Sequence, residues 1–226
     1  VPYYGYARQE RKAKPREPIS AKMVADVLTT AGARRVITVD LHAPAIQGFF
    51  NIPVDHLTAL DMIVDYLKKQ NIQNPVVVSP DAGRASTAER LASFMNSPFA
   101  IMIKKRPAHN ESVITHLIGD VEGRTPIIIE DLIDTGKTLV NVVEGLKERG
   151  ANDAYVCATH GLFSGDAIKN LDRPYVKEII VTDTIAQPED LSPKFKILSM
   201  DHLLADAIRI IVQGGSISTL FKSGGV

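Results

Sequence analysis

The sequence predicts a doubly wound, mostly parallel α/β fold. Two observations carry that expectation. Short apolar runs of strand length alternate with amphipathic stretches of helix length along the 226 residues. Several of the short runs are continuous in Val and Ile, as strands buried on both faces require. The expected strands are Arg35–Val39, Pro75–Ser79, Phe99–Ile103, Pro126–Ile129, Ala154–Ala158, Glu178–Val181 and Lys196–Ser199. The expected helices are Ala21–Ala31, Ala59–Gln70, Thr87–Asn96, Thr138–Arg149, Ala167–Leu171 and His202–Gln213. Ser20 is a candidate cap for the first helix, with Ile19 stapling onto Val24 and Gly32 closing the end.

Composition narrows the class of function. Hydrophobic residues make up 45% and charged residues 23%, an ordinary globular balance. The 26 basic and 26 acidic residues cancel, so no net charge draws the chain to nucleic acid or an anionic membrane. A single cysteine, Cys157, forbids an internal disulfide framework and fits a reducing compartment, so a cytoplasmic protein is expected. No signal peptide and no apolar run of membrane-spanning length is present. The chain opens on Val1 and reads as a piece of a longer one.

Doubly wound folds place ligands beyond the carboxyl ends of their strands. Four such ends carry chemistry. The strand ending at Val39 runs into "DLHAP", which holds His42; Pro75–Ser79 runs into "PDAGR", which holds Asp81. An imidazole and a carboxylate at neighbouring strand ends can share a hydrated divalent ion. Taken singly, His42 reads as a structural histidine and Asp81 as a turn or capping acid. Phe99–Ile103 runs into "KKRPAHN", whose Lys104, Lys105 and Arg106 suit phosphate charge or simply a solvated loop.

The fourth end is "EDLIDTGKT", Glu130 to Thr138. Its Gly-Lys-Thr tail looks like a P-loop, but the required glycine five positions before Gly136 is Asp131. Asp131 and Asp134 are better partners for sugar hydroxyls or a metal. The small-residue turn Thr135 to Thr138, opening a helix, offers backbone N–H groups to one phosphate. Acids beside a phosphate turn describe a sugar-phosphate site.

These residues resemble a known family. "EDLIDTGKT" is similar to the phosphoribosyl-pyrophosphate loop. "VPYYGYARQERKAKPREPISAK", "VDLHAPAIQGFFNIPVDHL", "VVVSPDAG", "KKRPAHN", "IGDVEGR", "ATHGLFSG", "VTDTIAQP" and "SISTLF" resemble ribose-phosphate pyrophosphokinases, in family order across nearly the whole chain. The resemblance implies a phosphoribosyltransferase-like fold of two related domains. The first would be an amino-terminal remnant, 1–58, with 201–226 packing back on it; the second would be 59–200. It implies transfer of the pyrophosphoryl group of MgATP to ribose 5-phosphate, with AMP leaving, for nucleotide biosynthesis. The alternative is a non-catalytic regulatory or assembly subunit. Mg2+ is the implied cofactor, and a homo-oligomer of dimer units assembling to a hexamer is the implied state.

Residue by residue, the resemblance implies ATP contacts at Arg8 and Gln9 and a metal-linked pair at His42 and Asp81. Lys104 and Arg106 match a catalytic loop, and Arg106 is further implied in holding ribose 5-phosphate. Glu130, Asp131 and Asp134 match the ribose acids, and Thr135, Gly136, Lys137 and Thr138 match the phosphate cradle. Three residues depart from the pattern. Glu130 stands where Asp is usual, and Lys137 and Arg84 each stand where Gly is usual. Were residue 137 to take positive φ, lysine there would cost on the order of 1 kcal/mol. About a third of the family chain is expected to precede Val1, including an adenine-binding loop.

Overall fold

The computed structural model describes residues 1–108 and 111–221, and the side chains of these except 104–108 and 111–115. Two compact units emerge: residues 1–61 with 199–221, and residues 62–198.

The first unit contains α1 (Ser20–Thr30) and two short strands, β1 (Val36–Val39) and β2 (Val54–Leu57), paired in parallel from Val36–Val54 to Val39–Leu57. Tyr4, Ala21, Ala25, Val36, Leu41, Ile46 and Phe50 close its core. The buried Tyr4 hydroxyl donates to the Ala21 carbonyl at 2.7 Å, and its ring meets Phe50 edge to face. Ser20 does not cap α1. It is the first helical residue, and the Ile19 carbonyl accepts from Lys22 and Met23 instead. Gly32 does close the helix. With φ at +100°, it lets Ala33 N–H reach back to the Leu28 carbonyl while its own N–H bonds Thr29. The end of the chain adds α6 (Asp201–Val212), reached after the strands of the second unit.

The second unit is a seven-stranded sheet. Its strands are β3 (Pro75–Ser79), β4 (Phe99–Ala108), β5 (Glu111–Ile118), β6 (Thr125–Ile133), β7 (Ala154–Gly161), β8 (Val176–Thr182) and β9 (Phe195–Leu198). The spatial order is β5-β4-β3-β6-β7-β8-β9, and every pairing is parallel except β4 with β5. The continuous apolar runs explain the centre. Val76, Val77 and Val78 of β3 are fully buried, as are Ile127 and Ile128 of β6, and all eight residues of β7 are buried. Alternate residues feed opposite faces. Val76, Val78, Ile128 and Val156 join one core cluster with Leu139, Val142, Val143 and Leu146 of α4 (Lys137–Lys147) and Ala167 and Leu171 of α5 (Ala167–Leu171). α3 (Ala85–Met95) packs against β3, and α2 (Leu60–Lys69) is tied to β8 by the Tyr66 hydroxyl, which donates to Glu178 at 2.9 Å.

Two expected loops are strands. β4 continues through Lys104, Lys105 and Arg106 because it pairs antiparallel with β5, with Lys104 opposite Ile114 and Lys105 opposite Val113. β6 continues past Ile129 through Glu130 and Asp131 because β7 also runs on and supplies partners, His160 for Leu132 and Gly161 for Ile133. The doubly wound architecture places one feature of consequence. Strand order reverses between β3 and β6: the chain leaves β3 toward β4, and leaves β6 toward β7. Such a reversal opens a crevice beyond the carboxyl ends of the two strands. No helix among the described residues is long and apolar enough to cross a membrane.

Candidate functional site at the strand reversal

The crevice of the second unit is lined from both sides. From β3, the chain turns through Pro80 and Asp81 into a 3-10 turn, Ala82–Arg84. Asp81 is committed locally: its Oδ1 accepts the Gly83 N–H at 3.0 Å, and its carbonyl accepts the Ser79 hydroxyl at 2.6 Å. The capping role anticipated as the plain reading of Asp81 is therefore real. From β6 come Glu130 and Asp131, both largely buried, then Asp134, Thr135 and Gly136, then α4.

The turn from β6 to α4 is fixed by neighbours. Gly136 has φ +71°, a left-handed conformation, and a Cβ there would meet Leu171 Cγ at 3.0 Å. Both facts demand glycine. The Ile133 carbonyl accepts from Leu162 and Phe163, and the Asp134 carbonyl accepts from Ser164. Asn170 on α5 donates to the Thr135 carbonyl at 3.3 Å. Loop 162–166 and α5 thus clamp the turn, a role no sequence motif announced. Lys137 is the first residue of α4, with ordinary helical backbone and an exposed side chain. The strain considered for lysine at 137 is absent, because positive φ falls one residue earlier, at Gly136. Gly136 caps α4 without a side-chain hydrogen bond. The opening N–H groups of an α-helix have no partners within the helix, so they can receive an anion. Thr135, Lys137 and Thr138 are exposed around them.

Arg84 closes the opposite side of the crevice. Its Nε lies 3.5 Å from Glu130 Oε2 and its Nη2 lies 3.0 Å from Asp131 Oδ1. Further out, the ends of β7 and β8 are laced together. The His160 ring shares a 2.8 Å bond with the Thr184 hydroxyl, Thr182 donates to the Thr159 carbonyl, and Gln187 donates to the Gly161 carbonyl.

The first unit carries its own strand-end site. Asp40 turns the chain at the end of β1 with φ +38°, and its carboxylate accepts the Ala59 N–H at 2.8 Å. The next residue, Leu41, donates its N–H to His56 Nε2 at 2.8 Å, so the proton of the neutral His56 ring sits on Nδ1. Burial holds the His56 imidazole below its ordinary value, with Asp40 pulling more weakly the other way. His56 therefore orients the turn that presents the half-buried His42. Sequence reasoning missed His56, because "VDHL" is too short and polar to read as a strand. Arg8 and Gln9 lie exposed on a 3-10 turn, Ala7–Gln9, of this same unit.

The candidates thus fall in two sets. His42, Arg8 and Gln9 belong to the first unit; Asp81, Glu130, Asp131, Asp134 and Thr135 to Thr138 belong to the second. The side chains of Lys104 and Arg106 lie outside the described residues. Among the described residues, no group of three or more His, Cys, Asp or Glu is arranged to hold a metal ion. A cavity of about 870 Å3 along α1, lined by Pro18, Ile19, Met23 and Val27, contains none of the candidates.

The chain is similar to known proteins over almost its whole length. Residues 77–222 match the phosphoribosyl synthetase-associated domain, and residues 1–32 match the N-terminal domain of ribose phosphate pyrophosphokinase. It is 50% identical over 223 residues to a ribose-phosphate pyrophosphokinase of Caldanaerobacter subterraneus, covering 98% of this chain and 71% of that one. With the Bacillus subtilis ribose-phosphate pyrophosphokinase the identity is 46%, covering 98% and 70%. The crystal structure of phosphoribosylpyrophosphate synthetase from Mycobacterium smegmatis superposes with a TM-score of 0.88 at 43% identity, over 95% of this chain and 70% of that one.

Two outcomes follow from the geometry. Gly136→Ala forces a left-handed alanine against Leu171; it should cost about 1–2 kcal/mol, or roughly 2–8 °C of melting temperature in a scanning calorimeter. The unfolded state holds a proton on His56 more readily than the folded one, so the stability His56 confers is complete above its ordinary 6.5. That stability drains away as pH falls below 6.5 toward the lower folded value. His56→Gln should therefore flatten the melting temperature against pH between about pH 7 and pH 5.

Proposed function

The chain belongs to the ribose-phosphate pyrophosphokinase family, and we propose that the crevice between β3 and β6 is its ribose 5-phosphate site. The enzyme transfers the pyrophosphoryl group of ATP to the anomeric hydroxyl of ribose 5-phosphate. The products are 5-phosphoribosyl 1-pyrophosphate, for nucleotide biosynthesis, and AMP. The observation that carries the site is the sequence of functions along a single strand-turn-helix. Carboxylates stand on β6, a left-handed glycine follows, and the first N–H groups of α4 open beyond it.

In this reading the ribose hydroxyls donate to Asp131 and Asp134. The 5-phosphate accepts from backbone N–H groups between Thr135 and Thr138, assisted by the positive end of the α4 dipole. The Lys137 ammonium, exposed on the first turn, adds charge to that cradle. With the sugar held at both ends, its anomeric oxygen attacks the β-phosphorus of ATP. The bond from that phosphorus to the bridging oxygen of the α-phosphate breaks, AMP departs with the bridging oxygen, and the proton of the anomeric hydroxyl is released. No covalent protein intermediate is needed; positioning and charge neutralisation supply the rate.

We assign Lys104 and Arg106 to the transferring phosphoryl groups, Arg106 also to ribose 5-phosphate, and Arg8 and Gln9 to ATP. We assign His42 in the first unit and Asp81 in the second each as a candidate contact to hydrated Mg2+, an ion that keeps several of its waters when bound. Such an ion neutralises developing phosphate charge. We read the two units as two related phosphoribosyltransferase-like domains, acting in a cytoplasmic homo-oligomer built from dimers.

AMP release from ATP and ribose 5-phosphate tests the activity directly. Asp131→Asn and Asp134→Asn should each raise KM for ribose 5-phosphate about 10–100-fold, through loss of a charge-assisted hydrogen bond, while KM for ATP stays within about twofold. Folded protein that binds ribose 5-phosphate yet releases no AMP would instead be a non-catalytic subunit.

A further inference from the structure

Arg84 and Glu130 are partners across the strand reversal. β3 pairs with β6 only as far as Val78–Ile128, while β6 runs on to Ile133. Arg84, at the end of the turn that follows β3, enters the gap beyond that last pair. Consecutive residues on a strand face opposite sides, so one acid cannot stand in for its neighbour. A guanidinium carries five N–H donors in one plane and can serve both. Here it does, with Nε toward Glu130 and Nη2 toward Asp131. The three side chains are only 16%, 13% and 10% exposed, so the contacts are sheltered from solvent screening.

We infer that Arg84 is a positioning residue for the sugar, acting with Glu130 as a matched pair that holds the Asp131 carboxylate in place to accept ribose hydroxyls. The inference rests on the ribose site proposed above. Three physical points carry it. First, a carboxylate has about four acceptor positions; the guanidinium on Oδ1 orients Asp131 without exhausting it. Second, two neighbouring, largely buried carboxylates need a counter-charge, and removing a partner from a buried ion cluster leaves uncompensated charge. Third, the length of Glu130 matters. An aspartate would withdraw the carboxylate by one carbon–carbon bond, about 1.5 Å, from a contact that is already 3.5 Å long. The glutamate is the acid that reaches Arg84.

A double-mutant cycle tests the inference. Wild type, Arg84→Gly, Glu130→Asp and the double variant are compared for KM of ribose 5-phosphate, KM of ATP and kcat, with melting temperature and circular dichroism as fold checks. Arg84→Gly should raise KM for ribose 5-phosphate about tenfold and leave KM for ATP unchanged. Glu130→Asp should restore part of that loss in the Arg84→Gly background, although alone it weakens binding. Arg84→Lys, which keeps the charge but not the planar fork, should fall between wild type and Arg84→Gly. Additive effects in the cycle, or tighter ribose 5-phosphate binding by Arg84→Gly, would overturn the inference; the latter would mean the guanidinium obstructs the sugar. If Arg84→Gly fails to fold, the cycle runs with Arg84→Lys. Asp131→Asn separates the two levels. If it leaves ribose 5-phosphate binding intact, the proposed sugar site is wrong and the inference falls with it. If it weakens binding while the cycle is additive, only the role of Arg84 falls.

Discussion

The pairing of β3 with β6 governs the second unit. It consists of four residue pairs, from Pro75–Thr125 to Val78–Ile128, between strands with buried Val and Ile on both faces. Because the chain leaves these strands in opposite directions, their pairing with each other stops at Val78–Ile128 and a gap opens beyond it. The crevice is a consequence of connectivity, and the apolar runs that build it are also what exclude water from beneath it. Everything chemical in this unit hangs on that gap: the Asp81 turn from one strand, the acids and the α4 turn from the other. The clamp on the α4 turn is similarly indirect. Leu171 crowds any side chain at residue 136, Asn170 holds the Thr135 carbonyl, and loop 162–166 fixes Ile133 and Asp134.

The first unit shows the same economy with different parts. Parallel pairing of β1 and β2 sets Thr38 opposite His56. The His56 ring can then accept from Leu41 beyond the end of β1, while Asp40 reaches across to Ala59. A buried histidine that must stay neutral to accept a hydrogen bond is an acid-labile brace. Its partner Leu41 immediately precedes His42, so the geometry of that turn and the stability of the unit are linked through a single ring.

How much of this was legible in the sequence depends on what each residue had to encode. β3, β7 and β8 could be read because burial on both faces leaves an unbroken apolar run. β2 and β5 could not: "VDHL" and "ESVITHLI" mix polar and apolar residues because they lie at a sheet's edge or in a two-stranded pair. The far half of β6 was hidden for another reason. Acids signal loops on average, yet Glu130 and Asp131 are strand residues whose charges are met by Arg84. The candidate acids, the glycine and the phosphate turn were visible as a local string. Their bracing was not, because Arg84, Asn170 and Phe163 act from other parts of the chain. Of the readings open for Lys137, the strain does not arise: positive φ belongs to Gly136, and an exposed lysine at the first helical position costs none.

On the proposed reading, the crevice must resolve a conflict of charge. A sugar needs carboxylates and its phosphate needs positive potential, a few ångströms apart. Two like unit charges about 6 Å apart in an effective dielectric near 20 repel by about 3 kcal/mol. With the acids on β6 and the phosphate bound, as proposed, at the start of α4, the helix dipole, roughly half a positive charge, would face the anion. Glu130 and Asp131 together still contribute two negative charges beside it, and Arg84 brings that pair to a net of one. On the proposed reading, a guanidinium beside the acids would lower the repulsion they impose on a phosphate in the crevice. It would do so while holding the Asp131 carboxylate in place, a combination that a neutral turn residue cannot provide.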